Sequence, residues 1–227
     1  MRATLGRPRL HLRATTSTND RARALALDGA PHGTLVTAGE QRAGRGRQGR
    51  TWSAPPGQAL LLSLVLRDPP VLLPLAAALA VAEVAGDAAL IKWPNDVVIG
   101  GRKVAGILAE GRPQEGWAVL GIGVNVALRV EELPEELHAT AGTLGLTPAD
   151  VEPTLERLLG ALEDALALAP GALLDAYRER DALRGREVSW ADGRGRAAGI
   201  DGSGRLVVEL PAGGRTALSA GEVHLAR

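Results

Sequence analysis

Ala22, Leu25 and Ala26 recur at helical spacing in NDRARALALDG, which predicts a first helix over 19–29 that stops at Gly29. TLVTA (34–38) then reads as a strand, and QALLLSLVL (58–66) as a buried strand by its length and flanks. The run VLLPLAAALAVAEVAG (71–86) is apolar all round, too short to span a bilayer, and carries Glu83, so it predicts a buried helix over 71–85. ALIKW (89–93) and DVVI (96–99) predict strands about a turn at Pro94-Asn95. Gly100-Gly101 is a two-residue hairpin signal into KVAGILAEG, and WAVLGIGVNVAL (117–128) is a strand expected to pair with that hairpin. Leu155, Leu158, Leu159, Leu162 and Leu166 then mark one face of a helix within 147–170, with Thr147 and Asp150 as capping residues, and another helix is expected over 171–183. From Gly185 the pattern changes to short Val/Leu runs broken by Asp-Gly, Gly-Ser-Gly and Gly-Gly, which predicts a small all-β barrel. The expected fold class is therefore α+β: a mixed domain over 1–183 and a barrel over 184–227.

Composition narrows this picture. Of 227 residues 45% are hydrophobic, yet there is no Phe, one Tyr and four Trp, so the core must be built from Leu, Val and Ala. The formal net charge is zero, which leaves no overall field to recruit nucleic acid or an anionic membrane. With no cysteine there is no disulfide, thiolate nucleophile or Cys-bound metal, and the spacing of His11, His32, His138 and His224 makes no metal site, so these are expected to be structural or surface residues. The N-terminal stretch lacks the apolar segment of a signal peptide, so a cytoplasmic protein is expected.

Two rare letters point to candidate chemistry. Lysine occurs only at Lys92 and Lys103 among 26 basic residues, and asparagine only at Asn19, Asn95 and Asn125. The two lysines bracket KWPNDVVIGGRK, where a hairpin would bring them together with Asn95 and Asp96. A lysine is a compact charge with rotatable donors that can touch oxygens of two anions where a planar guanidinium fork would not fit, although lysines also guard exposed edge strands. The segment GRGRQGR (44–50) has no apolar periodicity and reads as a loop. Its glycines would free backbone N–H groups for a phosphate or carboxylate, and Arg45, Arg47 and Arg50 would add charge. It lacks the ending of a P-loop. A solvated loop or an RNA contact are its other readings. TTSTN (15–19) reads either as a helix N-cap or as hydroxyl and amide partners for a neutral polar ligand.

STN, GRGRQGRTW, KWPND, RKVAGIL and GIGVNV, in this order, strongly resemble the biotin–protein ligases (holocarboxylase synthetases) from about residue 14 to the end. The resemblance implies a catalytic domain related to class II aminoacyl-tRNA synthetase cores and an SH3-like C-terminal barrel. It implies formation of biotinyl-5′-adenylate from biotin and ATP, with Mg²⁺ expected at unknown ligands, then transfer of biotin to a lysine of the biotin carboxyl carrier domain of a carboxylase. By matching position, Ser17, Thr18, Asn19 and Gln41 would hold biotin, with Gly44 and the backbone of Arg45 assisting. Arg45, Arg47 and Arg50 would close over the biotin carboxylate and adenylate phosphate, and Gly106 and Leu108 would line the biotin channel. Lys103 would contact carboxylate and α-phosphate, with Asp96 beside the reacting centre. Lys92 and Asn95 would lie toward the nucleotide, Trp52 would stack near adenine and Asn125 would read its edge. Only about fourteen residues precede the match, so no DNA-binding domain is expected; no membrane contact is expected either, and a homodimer stays open. Where family members often end Gly-Glu-x-x-Leu-Arg, this chain has GEVHLAR, with Ala226 at the arginine position and Arg227 one place later. A lipoate or octanoate ligase on a related fold is the rival enzyme, and a non-catalytic RNA- or phosphate-binding module the rival of another class.

Overall fold

The computed structural model describes residues 5–112, 115–219, 221 and 223–225. In chain order its strands and helices are β1 (Arg9–Leu12), α1 (Thr18–Leu27), β2 (Leu35–Ala38), β3 (Gly44–Arg45), β4 (Thr51–Trp52), β5 (Ala59–Arg67), α2 (Leu73–Ala85), β6 (Ala89–Lys92), β7 (Asp96–Ile99), β8 (Arg102–Arg112), β9 (Trp117–Asn125), α3 (Val151–Ala167), α4 (Pro170–Glu179), β10 (Glu187–Trp190), β11 (Gly193–Ile200), β12 (Leu206–Glu209), β13 (Arg215–Leu218) and β14 (His224–Leu225). Seven strands form one mixed sheet in the order β1-β2-β5-β9-β8-β7-β6. Only the β1–β2 pair is parallel; the rest are antiparallel. A second, antiparallel sheet has the order β13-β12-β11-β10-β14.

The large sheet is covered unequally. On one face the leucines of β5 (Leu60, Leu62, Leu64 and Leu66) meet α2 and the Leu155/Leu158/Leu162 stripe of α3 in the main core. On the other face the one helix among the described residues is α1, whose Ala22 and Ala26 pack on Val36, Val65, Trp117 and Val119 at one end of the sheet. That leaves the rest of this face open, and the cavity described below lies there. The main core continues without a break into Val188, Ala197, Ile200, Leu206 and Val208 of the small sheet. Trp93, 2% exposed, fastens the junction by donating its indole N–H to the Gly204 carbonyl at 3.0 Å.

The predicted elements are present with shifted ends. Thr147 donates both its amide and its hydroxyl to the Asp150 carboxylate, but the turn they cap is a short 3₁₀ segment, Pro148–Asp150, that leads into α3. The helix expected over 171–183 ends at Glu179, because the following residues pair with the edge of the large sheet: Ile91 N–H donates to Arg180 O at 2.7 Å and Ala182 N–H to Ile91 O at 3.0 Å. Asp181 is half-buried there, and partial loss of water raises its carboxyl above the ordinary value of 3.8; burial raises the nearby Tyr177 phenol as well. Strand β1 was not predicted: RLHL has only two apolar residues and gains its place by pairing with β2. The Gly/Arg segment expected to be a loop folds as the two-stranded β3–β4 ribbon around a 3₁₀ turn, with Gln48 at φ 56° and Gly49 at φ 75°. The C-terminal Ala226 and Arg227 lie outside the described residues.

Candidate active site

Strand β8 supplies the site through an irregularity. In a regular strand, residues three apart face opposite sides. Here Val97 pairs with Ala105 and Val98 with Lys103, so Val104 is an extra residue, and both Val104 and Ala105 point into the core. This bulge brings Lys103 onto the same face as Gly106 and Leu108. The neighbouring β9 needs no bulge: Gly121, Gly123 and Asn125 alternate onto the open face while Ile122 and Val124 join the core. A cavity of about 470 Å³ results, walled by β8 and β9, the N-terminus of α1, the β3–β4 ribbon and residues 133–141.

Every residue proposed from the sequence lines this cavity except Gly44. Gly44 instead lies in the ribbon, where a Cβ would stand 2.3 Å from the Trp52 carbonyl oxygen, so glycine is required for β3 to approach β4. The expectation that the loop glycines leave their amides open needs correction at Gly46, whose N–H donates to Arg50 O at 2.7 Å inside the ribbon.

At one end of the cavity Asn125 donates its side-chain amide to Gly142 O at 2.8 Å, while its Oδ1 is buried without a partner. Beside it, Lys103 Nζ lies 2.7 Å from Asp96 Oδ1 in an ion pair off the line of a hydrogen bond, and 5.4 Å from the centre of the Trp52 ring. The backbone of Lys103 is clamped on both sides, its N–H donating to Thr140 O and its carbonyl accepting from Gly142 N–H. Asn95 accepts from Arg47 at 3.1 Å and donates to Ile107 O at 3.1 Å, which ties the ribbon to the sheet. Lys92, opposite Asp96 in the β6–β7 pair, has no ion-pair partner among the described residues. In the middle, the Trp52 ring lies flat on the Gly106–Gly123 pair; a Cβ at Gly123 would come within 2.5 Å of the indole.

The other end is neutral and polar. Gln41 Oε1 accepts from the Thr18 amide at 2.7 Å and stands 3.0 Å from its hydroxyl, and Ser17 Oγ is buried without a partner. Ser17 is the N-cap of α1 yet makes no side-chain cap bond, so the capping reading of TTSTN does not account for its hydroxyl. Arg45 lines this end and pairs with Asp20 at 2.8 Å and Glu110 at 3.0 Å. Four residues along β9, from Gly121 to Asn125, put about 13 Å between the two ends.

Three contributors escaped sequence reasoning. Ser63 and Glu110 sit in strands whose pattern gave only burial, and each is reached by pairing across the sheet. His224, expected to be a structural or surface residue, lines the cavity from the small sheet. Among the described residues no group of three or more His, Cys, Asp or Glu could hold a metal ion.

Comparison with known proteins agrees with this architecture. Residues 12–126 match the biotin/lipoate A/B protein ligase family and residues 185–225 the biotin protein ligase C-terminal domain. The biotin--[acetyl-CoA-carboxylase] ligase of Mycobacterium tuberculosis is 38% identical over 238 residues, covering 93% of this chain and 86% of that protein. The bifunctional ligase/repressor BirA of Bacillus subtilis is 43% identical over 141 residues, 57% of this chain but 43% of that protein; the chain spans about half the length of such relatives or less. The biotin protein ligase from Aquifex aeolicus in complex with biotin and ATP has a TM-score of 0.83 at 28% identity, over 97% of this chain and 99% of that one. On the match over residues 12–126 and the Mycobacterium relative, the chain belongs to the biotin/lipoate A/B protein ligase family.

Proposed function

We propose that this protein activates biotin with ATP to give biotinyl-5′-adenylate and pyrophosphate, and then transfers biotin to a lysine of a biotin carboxyl carrier domain, releasing AMP. The observation that carries the reading is a single cavity with a neutral polar end at Ser17, Thr18 and Gln41 and a charged end at Lys92, Asp96 and Lys103, with Trp52 lying between them on two glycines. A ring with carbonyl and N–H groups suits the first end, and a nucleotide suits the second, where Asn125 Oδ1 is an unused acceptor for an exocyclic amine.

The chemistry requires a carboxylate to attack an α-phosphate, so two anions must approach. A cation placed between them lowers the barrier by neutralising charge in the transition state. Three contacts support Lys103 in this role: its backbone is clamped, its ammonium is paired with a carboxylate it can share with a ligand, and that ammonium lies over the Trp52 ring. Arg47 and Arg50 enter from the ribbon, which would also shield the mixed anhydride from water. No enzyme nucleophile is needed, consistent with a chain without cysteine. Mg²⁺ fits as a companion of the nucleotide rather than of a protein cage, because Asp96 is the one carboxylate among the described residues lining the cavity. The ion would supply charge neutralisation at the phosphates.

We also read the large sheet as class II aminoacyl-tRNA synthetase-like, and the five-stranded unit as an SH3-like barrel, with the boundary between residues 183 and 184. The mixed seven-stranded order and the separate antiparallel sheet starting at Glu187 support this. The test is ATP–pyrophosphate exchange with biotin, lipoate and octanoate in parallel, on wild type and Lys103→Arg. Exchange with biotin alone, reduced roughly 10²- to 10³-fold in the variant, is expected. Exchange driven by lipoate or octanoate would overturn the substrate assignment, and undiminished exchange in the variant would remove Lys103 from its role.

A further inference from the structure

Glu110 lies on β8 beyond the residues assigned to the ligand, and its side chain is 20% exposed. Its Oε1 accepts from Arg23 at 2.9 Å and forms an ion pair with Arg45 at 3.0 Å; its Oε2 accepts from Asn19 Nδ2 at 2.8 Å. One carboxylate thus holds an arginine of the ribbon, an arginine of α1 and the amide of a buried asparagine.

The bond to Asn19 sets the polarity of everything that follows. An amide oxygen turned toward a carboxylate would be repelled, so Asn19 must present Nδ2 to Glu110 and Oδ1 to Ser63. Ser63 Oγ stands 2.6 Å from that Oδ1, which can only accept, so the Ser63 proton is committed there. Ser63 also stands 2.8 Å from Thr18 Oγ1 and has no second proton to give it. The proton of Thr18 must then go to Ser63 or to Gln41 Oε1 at 3.0 Å. In either case Thr18 Oγ1 keeps an open lone pair. If Asn19 were reversed, Ser63 would donate to Thr18 and take up one of its two lone pairs, and the Ser63–Thr18 contact would no longer be fixed by the Asn19 oxygen. Gly121 makes the arrangement sterically feasible, since a Cβ there would meet Asn19 Oδ1 at 2.0 Å.

We propose that Glu110 is a positioning residue: through Asn19 and Ser63 it fixes the place of the Thr18 hydroxyl, whose open lone pair can accept from an N–H of the ligand's ring, and through Arg45 it ties this polar end to the ribbon. The proposal rests on the biotin-activating reading of the cavity and adds a residue that does not touch the ligand. Its consequence is selective. Losing the charge should weaken recognition of the ring and leave the nucleotide end, anchored at Lys103 and Asn125, unchanged.

The experiment measures biotin-dependent ATP–pyrophosphate exchange for wild type, Glu110→Gln and Glu110→Asp, with KM determined separately for biotin and ATP and thermal unfolding as a control. For Glu110→Gln, KM for biotin should rise roughly 10-fold or more while KM for ATP stays within about 2-fold, the scale of losing charge-assisted hydrogen bonds. Glu110→Asp keeps the charge on a shorter stem and should fall between the two. Equal KM values in wild type and Glu110→Gln would overturn the proposal, as would a parallel rise of both KM values with a lowered Tm, which would mark Glu110 as a strut. If Glu110→Gln does not fold, Glu110→Asp decides alone: a rise confined to KM for biotin supports the role, and no selective change overturns it. An inactive wild type would instead bring down the reading of the cavity, and this proposal with it.

Discussion

Replacing Trp93 with phenylalanine removes the indole N–H that donates to the Gly204 carbonyl at 3.0 Å, in a place where both partners are buried. An orphaned buried carbonyl costs about 1–3 kcal/mol, and the void left by the smaller ring about 1 kcal/mol more. The sum is about 2–4 kcal/mol, and at about 2–4 °C per kcal/mol for a chain of this size Tm should fall by roughly 5–15 °C. A functional effect should accompany it, because Trp93 directly follows Lys92 and the turn it begins carries Asn95 and Asp96. Differential scanning calorimetry gives the stability term, and pyrophosphate exchange at saturating biotin gives KM for ATP, which should rise while KM for biotin changes less. A Tm within about 2 °C of wild type would refute the reasoning, since it would mean that the bond between the small sheet and the Lys92 turn contributes nothing.

Two other outcomes test separate parts of the structure. Gly123→Ala places a methyl 2.5 Å from the Trp52 indole, whose rigid ring must leave the glycine pair; KM for both biotin and ATP should rise roughly 10-fold with little change in Tm, as read by exchange kinetics and thermal unfolding. Asp181 has its carboxyl raised by burial above the ordinary 3.8, so the folded state binds the proton more tightly than the unfolded chain. Its penalty is absent below pH 3.8 and grows as pH climbs through the raised folded value. Asp181→Asn should therefore be more stable than wild type at pH 7, with the gap closing toward pH 3.8; urea unfolding across that range checks the sign, and a pH-independent gap would refute it.

Much of the fold was legible because its strands and helices carry strong periodicity. The leucine stripe of α3 and the apolar run of β5 are examples whose side chains face the core as expected. β1 was not legible, because a four-residue edge strand with two apolar positions is specified by its neighbour β2 rather than by its own pattern. In the site, the rare lysines and asparagines marked positions that do converge on one cavity. Ser63 and Glu110 stayed hidden because nothing in a strand's own sequence says what stands beside it two strands away. The partners of Arg45 were hidden for the same reason: Asp20 and Glu110 lie 25 and 65 positions from it in the chain, and only the folded sheet brings them together.

The extra residue at Val104 divides β8 into two halves with opposite phase. Were the same residues laid out in perfect alternation, with Val104 paired rather than bulged, Lys103 and Gly106, three positions apart, would face opposite sides and the ammonium could not stand over the glycine floor. Removing Val104 would leave cation and platform on one side but take a fully buried side chain out of the core, so the extra residue fills the packed face while the bulge it forms sets the phase of the open one.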